Sequence, residues 1–330
     1  MKEQVANILH KDKWLYATVF SLFAVVTAWF VYIHRFDLSS TEGMRQAWGS
    51  AYQVMALFGC IVGFIASKKW DGYKSLIGKA IMFFSIGLLL QSFGQSVDSY
   101  YNYFKNEAIP YPSLGDIGFM GSVIAYIAGA LLLLKATGFQ VSAKSFQKRL
   151  IAIVIPLIVL ISSYLFFLHG YVFDWSNPTK IILDFAYPLG QATYLSIVLI
   201  AYMTSFNYNL GAMKRPLLFI LIALAFQYFA DFTFLYQANA GTWYVGGAND
   251  FLYFSSYFLM ALALLVMGGG PADIAGAVID IWLQISAFTT KYFHEFLENR
   301  KLSLVLSHGR LQRRLMEFPL LTRNLLTLRY

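Results

Sequence analysis

Charged residues are scarce in this chain, and cysteine is almost absent. Only 13% of its 330 residues are charged, whereas a soluble domain has about 25%. Because 58% of the residues are hydrophobic, the composition excludes a soluble protein and indicates an integral membrane protein whose main partner is the lipid bilayer. The single cysteine, Cys60, excludes an internal disulfide.

The motifs of common catalytic sites are also missing. The sequence contains no HExxH, no Cys/His cluster, no GxSxG and no Gly-rich phosphate loop, so we expect neither enzymatic activity nor a cofactor. Its pI near 9.3 does not indicate nucleic-acid binding, because the basic residues are spread over many short loops. No signal peptide is evident, and we expect the first apolar run to be retained as a helix.

Eight apolar runs are long enough to cross a bilayer, for which about 20 residues are needed. Runs of this length exclude the strands of a barrel, so the sequence predicts an all-α, polytopic membrane protein. The eight predicted transmembrane helices cover residues 14–34, 47–67, 77–104, 114–135, 150–169, 180–204, 214–237 and 248–268.

Rare polar residues recur within these runs about 135 positions apart, which indicates a tandem duplication. Residues 14–136 form the first predicted four-helix repeat, and residues 149–268 form the second. With four helices in each copy, the two repeats have the same orientation in the membrane. The matched pairs are Lys13 and Lys148, His34 and His169, Tyr52 and Tyr187, Lys79 and Lys214, Asp98 and Asp231, and Asp116 and Asp250.

Lysine and arginine predict the orientation, since thirteen lie on the side of the N-terminal segment, residues 1–13, and only four on the other. We therefore expect a multi-pass protein of the cytoplasmic membrane with both termini in the cytoplasm. The outer side carries nine of the seventeen acidic residues, which are Asp37, Glu42, Asp98, Glu107, Asp116, Asp174, Asp184, Asp231 and Asp250.

Five of these aspartates are expected at or inside helix ends, where a carboxylate in a membrane is costly and indicates function. Asp116, Asp184 and Asp250 open predicted helices, and capping of the first amides is their favoured role. Asp98 and Asp231 lie toward helix C-termini, where the helix dipole disfavours an anion. For this pair, contact with a ligand and an internal hydrogen bond to a tyrosine remain equal alternatives.

Aromatic residues and amides lie at the level of these aspartates. The aromatic belt at the membrane interface explains most of the aromatics. Together with the acids, they also predict an outward-facing acidic, aromatic pocket for a small cationic or amphiphilic ligand. His34 and His169 are weak candidates for a metal site, because no recognised ligand pattern surrounds them. Besides the five aspartates, the predicted ligand-binding residues are Gln95, Gln191, Gln227, Tyr101 and Trp243.

Two segments share one pattern: an aspartate near a helix end, a loop containing Gly and Tyr, and a second aspartate that opens the next helix. It occurs in "QYFADFTFLYQANAGTWYVGGANDFLYFSSYFLMALAL" at residues 227–264 and more loosely at residues 95–132. This pattern resembles the multi-helix membrane sensor regions found N-terminal to bacterial diguanylate cyclase and histidine kinase modules. The resemblance covers most of residues 14–268 and implies a signal-receiving module. Residues 273–330 depart from it, because they hold no cyclase signature and no ATP-binding kinase domain.

The C-terminal tail, residues 273–330, has apolar residues at alternating spacings of four and three. This spacing suits a coiled coil, through which a homodimer or a signalling partner could bind, and equally an amphipathic helix on the bilayer. The end of the tail is basic, which favours lipid contact. The apolar positions are Ile274, Val278, Ile281, Ile285, Phe288 and Tyr292.

These observations predict a membrane sensor or ligand-binding module that signals through its C-terminal helix. The first alternative is a transporter or channel for a small cationic solute. A pore needs polar residues at the middle and inner levels of the membrane, and the sequence places them only in the outer third. The second alternative is a structural subunit of a larger membrane complex.

Overall fold

The computed structural model describes residues 2–35, 41–107, 109–139, 175–205 and 211–268, with a few positions between 154 and 173. These residues belong to the first of two units into which the chain divides after Gly270. A 3₁₀ turn follows α3 and a π-helical turn, Tyr100–Lys105, follows α4. The helices are α1 (Lys2–Arg35), α2 (Thr41–Ala51), α3 (Val54–Lys68), α4 (Leu76–Ser99), α5 (Gly115–Ala136), α6 (Pro178–Ser205), α7 (Gly211–Ala240) and α8 (Ala248–Met267).

Among the described residues, seven helical segments are long and apolar enough to cross a membrane. The prediction of an all-helical, multi-pass membrane protein is therefore confirmed, and no strand occurs in the part of the chain that the structure describes. The segments are Trp14–Arg35, Glu42–Lys68, Leu76–Lys105, Gly115–Ala136, Pro178–Ser205, Lys214–Ala238 and Ala248–Met267. They correspond to seven of the eight predicted spans, and the remaining one, at 150–169, lies largely outside the described residues.

The second span begins earlier than predicted and is broken in the middle. Its first helix, α2, starts at Thr41 rather than near residue 47, and the helix is interrupted before α3 begins at Val54. The amide of Gln53 stabilises this interruption: Nε2 donates to the Ser50 carbonyl at 2.8 Å, and Oε1 accepts a hydrogen bond from Ser96 Oγ of α4 at 2.6 Å. The break is thereby attached to α4.

Helices α3 to α8 form a closed circuit of contacts, in which each helix packs against the next and α8 packs against α3. α1 packs against α2, α3 and α8. Its phenylalanines stack on those of α8, since the ring centroids of Phe23 and Phe258 are 3.9 Å apart and those of Phe30 and Phe251 are 4.7 Å apart. Aromatic packing of this kind explains part of the aromatic content without a ligand.

The two ends of the bundle differ in charge. α5 and α8 begin at the end where α4 terminates, and this acidic end carries Asp98, Asp116 and Asp250. Lys68 and Lys135 lie in last turns at the opposite, basic end. Large apolar side chains form a layer in the interior of the basic half, beside a few buried serines and threonines. Its members are completely buried, and they are Val62, Ile81, Phe84, Leu133, Leu217, Ile220 and Leu264.

Candidate functional site

Asp231 of α7 is the centre of a hydrogen-bond network between three helices. Tyr253 of α8 donates its hydroxyl to Oδ1 at 2.5 Å. Gln191 of α6 donates Nε2 to Oδ2 at 2.5 Å, and Gln227 donates Nε2 to the same oxygen at 3.3 Å. Hydrogen bonds to a carboxylate are roughly twice as strong as neutral ones. The network thus holds the carboxylate in place, and it includes the internal bond to a tyrosine that was one of the two alternatives.

Asp98, the predicted counterpart of Asp231, has different surroundings. No described residue donates a hydrogen bond to its carboxylate. Its Oδ1 faces the start of α5, where it would lie 3.0 Å from a Cβ on Gly115. The carboxylates of Asp116 and Asp250 are close enough to repel it. Asp98 is therefore the carboxylate of this end that depends most on water or a ligand for hydrogen bonding.

Asp116 and Asp250 lie in the first turns of α5 and α8, but they do not cap the first amides of these helices. Asp116 Oδ2 accepts a hydrogen bond from the Ser113 amide at 2.7 Å, and Asp250 Oδ2 accepts one from the Gly246 amide at 2.7 Å. Each carboxylate thus bonds to an amide of the preceding loop, one position before the N-cap amide that a capping box would use. The second oxygen of Asp116 also accepts the hydroxyl of Tyr187, on α6, at 2.7 Å. The two carboxylates therefore attach the preceding loops to their helices.

Asp184 does not open a helix, and its predicted capping role is wrong. α6 begins at Pro178, so Asp184 lies well inside it, beyond the first turn. The cap is Asn177, whose Oδ1 accepts a hydrogen bond from the Lys180 amide at 3.1 Å. Asp184 instead accepts the hydroxyl of Tyr111 on Oδ1 at 2.7 Å. It connects the segment before α5 to α6.

Three buried glutamines extend the polar interior from Asp231 toward the middle of the membrane. Each is at most 5% exposed. Gln227 Oε1 accepts a hydrogen bond from Ser256 at 2.7 Å. Gln91 donates Nε2 to Ser122 at 2.7 Å, and its Oε1 accepts the hydroxyl of Tyr257 at 3.1 Å. Gln191 differs from both, because its buried Oε1 has no partner among the described residues.

The other predicted lining residues are not joined to this network. Tyr101 contacts Tyr100, with ring centroids 5.8 Å apart, and the ammonium of Lys105 lies 5.4 Å above its ring. Trp243 packs edge-on against Phe234, and its indole N–H has no partner among the described residues. The side chain of Gln95 forms no hydrogen bond with another described residue. These three residues lie at the acidic end without a shown link to Asp231.

Of the two histidines predicted as weak metal-site candidates, His34 and His169, only His34 is among the described residues. His34 bonds through Nδ1 to the Phe30 carbonyl at 2.9 Å, and its ring lies 4.1 Å from that of Phe30. His169, Asp37 and Asp174 lie outside the described residues. Within the described ranges, no three His, Cys, Asp or Glu side chains are grouped so as to bind a metal ion.

The four aspartates at 98, 116, 231 and 250 form no ion pair with a basic side chain in the described part of the chain. The ion pair that occurs nearby joins Lys105 to Glu107 at 3.6 Å, and both side chains are exposed. Buried or half-buried carboxylates without a protein cation attract positively charged ligands. The acidic end is therefore electrostatically suited to a cation.

No protein-family model matches the chain, and no curated protein or solved structure matches it either. The contacts of the side chains themselves are thus the basis for a functional interpretation. They place Gln191, Gln227 and Asp231 together, Asp98 near Asp116 and Asp250, and Asp184 against Tyr111.

Several partners of the predicted residues were not predicted from the sequence. Tyr253 and Ser256 lie on α8 and bond to Asp231 and Gln227. One signal was available, because Ser122 and Ser256 each follow an aspartate in the first turn of a helix, Asp116 or Asp250, at the same distance. Both serines bond to a glutamine of the preceding helix in the bundle. No comparable pattern marks Tyr253.

Replacing Tyr187 by phenylalanine should lower the free energy of unfolding by about 1 kcal/mol, since polar contacts between membrane helices average about 0.6 and reach about 1.7 kcal/mol. The loss arises from the bond to Asp116, which connects α6 to α5. Tyr111→Phe is the matched control, because its bond to Asp184 is exposed. We expect less than about 0.5 kcal/mol there. Thermal unfolding in detergent measures both, and equal losses would contradict the assignment.

Proposed function

We propose that this protein is a membrane-embedded sensory or ligand-binding module that receives a small cationic or amphiphilic ligand at its acidic end. One observation supports this most: the network of carboxylate and amide side chains begins at the acidic end, whereas large apolar side chains predominate in the described interior of the basic half. The buried hydroxyls of Ser85 and Thr204 in that half bond to carbonyls of their own helices. Among the described residues, the groups suited to a polar ligand therefore lie on the side of the acidic end. That arrangement suits reception better than passage.

We also propose that residues 14–136 and 149–268 are two four-helix repeats with the same orientation in the membrane. Tyr187 of the second repeat bonds to Asp116 of the first. Tyr52, its counterpart in the first repeat, lies within electrostatic range of Asp250 in the second. The helix contacts between the two halves are reciprocal as well. In the proposed repeats α3 corresponds to α6 and α5 corresponds to α8. α3 packs on α8, and α5 packs on α6. These reciprocal contacts support a two-fold relation about an axis along the membrane normal.

In this proposal the acidic end faces outward, both termini lie in the cytoplasm, and the membrane is the cytoplasmic membrane. A ligand at the acidic end changes the packing among α6, α7 and α8, because Asp231 is bonded to residues of all three. α8 leads directly into the C-terminal segment, which carries the signal to a homodimer partner or another protein. The resemblance to bacterial sensor regions supports this role.

Cysteine labelling tests the orientation. In a Cys60→Ala background, cysteines introduced at Glu107 and Ala240 should react with an impermeant maleimide on intact cells. Cysteines at Lys69 and Lys144 should react only after the membrane is permeabilised. The Cys60→Ala substitution removes the single native thiol, which is buried, so that only the introduced cysteine can be labelled. Labelling of Lys69→Cys or Lys144→Cys from outside would overturn the proposed topology.

Thermal unfolding of the purified protein in detergent tests the ligand class. Organic cations and amine-bearing amphiphiles should raise the unfolding temperature, because a ligand that binds only the folded state stabilises it by mass action. Glu107→Gln is a control, since it removes one exposed charge of the acidic end without affecting the network. Stabilisation by anionic compounds alone would show that the acidic end is not the binding face.

A transporter for a small cation is the second candidate, and one finding favours it. The sequence had indicated that polar residues stop at the outer third of the membrane, but the structure also places them deeper. Gln91, Tyr126 and Tyr194 are buried near the middle of their spans. Flux measured in proteoliposomes distinguishes the two functions. Cation flux that is abolished by Asp231→Asn would favour transport, and binding without flux would favour reception.

A further inference from the structure

The site beside Asp231 contains hydrogen-bonding groups that the protein leaves unused. Gln191 Oε1 and the hydroxyl of Tyr194 are buried and have no partner among the described residues. Gln191 is 3% exposed and Tyr194 is completely buried. The two residues are three positions apart on α6, so they lie on one face of the helix. A buried polar atom without a partner costs about 1–3 kcal/mol, which argues that something occupies this position.

Asp231 supplies a further acceptor, since it is bonded to Gln191 and lies within electrostatic range of Tyr194. A carboxylate can accept about four hydrogen bonds, and three are used by Tyr253, Gln191 and Gln227. Gln191 donates its Nε2 to this carboxylate, so its unused Oε1 is necessarily close to Asp231. The unused groups are thus one carboxylate position, one amide oxygen and one hydroxyl. All three can accept a hydrogen bond.

We propose that this site binds the ammonium group of a primary amine. Such a group carries one positive charge and three N–H donors, which match the charge of Asp231 and the three free acceptors. The inference rests on the proposed function, because it names the chemical class of the ligand. Tyr126, whose ring meets that of Tyr194 edge-on at 5.9 Å, adds an aromatic surface beside the site. A quaternary ammonium has the same charge but no N–H, so it leaves the oxygen of Gln191 unpaired.

A matched pair of probes tests the proposal on the full-length protein in detergent. Hexylammonium and hexyltrimethylammonium have the same charge and chain, and isothermal titration measures the affinity of each. We expect hexylammonium to bind about tenfold or more tightly, because a site with buried acceptors discriminates against a ligand that lacks the donor. Hexanol controls for the contribution of the chain alone.

Two substitutions assign the selectivity to the site. Gln191→Leu should bring the affinity ratio of the two cations close to one. Tyr194→Phe should reduce the ratio several-fold, and it removes a single hydroxyl with no change in shape, so it remains informative if Gln191→Leu does not fold. Gln53→Leu is the control, since its amide bonds to Ser50 and Ser96. It should leave the ratio unchanged.

The outcomes separate this inference from the proposed function. Equal binding of the two cations by the unmodified protein would overturn the primary-amine site and leave a cation-binding module. A preference for hexylammonium that survives both Gln191→Leu and Tyr194→Phe would overturn the location. Binding of hexyl sulfate in place of either cation would overturn both the inference and the proposed function. Loss of the preference in both variants supports the inference.

Discussion

Replacing Gly118 by alanine should lower the free energy of unfolding by about 3 kcal/mol, as expected for overpacking against atoms that cannot move aside. A Cβ at this position would lie 2.6 Å from the Leu90 carbonyl oxygen and 2.7 Å from the Gly94 amide nitrogen. Both are backbone atoms of α4. The added methyl group can therefore be accommodated only if α4 and α5 separate.

Gly121→Ala is the matched control, one turn further along α5. A Cβ there would meet only the end of the Leu90 side chain, with Cδ1 at 3.2 Å. A leucine side chain can shift slightly, and alanine gains about 1 kcal/mol of helix propensity over glycine. We expect Gly121→Ala to be neutral or slightly stabilising. Thermal unfolding of both variants in detergent measures the difference, and similar losses would show that α4 and α5 are not closely packed.

Gly118→Ala should also weaken ligand binding at the acidic end. Asp98 of α4 lies beside Gly115 of α5, three positions before Gly118. Separation of these helices moves the Asp98 carboxylate away from Asp116. Affinity for a cation should therefore fall together with stability in Gly118→Ala. It should be retained in Gly121→Ala.

Local patterns predicted two helix starts and failed at a third. Asp116 and Asp250 lie in the first turns of α5 and α8 as predicted, although their carboxylates bond to loop amides three or four positions earlier and not to the first helical amides. The capping role predicted for Asp184 was wrong for an equally local reason. Asn177 followed by Pro178 is a strong helix start, because asparagine caps the first amides and proline suits the first helical position. This pair starts α6 six positions before Asp184.

The polar interior could not be derived in the same way. Whether Gln191 meets Asp231 depends on how α6 and α7 are rotated against each other, and residue spacing within one helix does not determine that rotation. The predicted tandem duplication helped only in part. It pairs Asp98 with Asp231, yet Asp231 has three donors and Asp98 has none among the described residues. The match between sequence positions does not extend to the neighbours that determine hydrogen bonding.

Asp231→Ala should lower the free energy of unfolding by about 2–3 kcal/mol, whereas Asp231→Asn should change it by less than about 1 kcal/mol. Alanine leaves the Tyr253 hydroxyl and the amides of Gln191 and Gln227 without their partner. Relief from burying a carboxylate offsets part of this cost, which is why we expect less than the full penalty for three unpaired groups.

Asparagine preserves most of the network because Gln191 can rotate its amide, and the bond that is lost is the long one, 3.3 Å, from Gln227 Nε2. Its unpartnered Oε1 would then accept a hydrogen bond from the new amide at position 231, while Tyr253 continues to donate to the remaining oxygen. That rotation uses the acceptor that we assign to the ammonium group, and the substitution also removes the negative charge. The Asp231→Asn variant should therefore unfold at a temperature close to that of the unmodified protein. It should bind hexylammonium at least about tenfold more weakly, a difference of about 1.4 kcal/mol in binding free energy. Thermal unfolding and isothermal titration of the two variants measure these effects. Full affinity in a folded Asp231→Asn protein would show that the carboxylate has no part in binding, because shape and hydrogen bonding would then be sufficient without its charge.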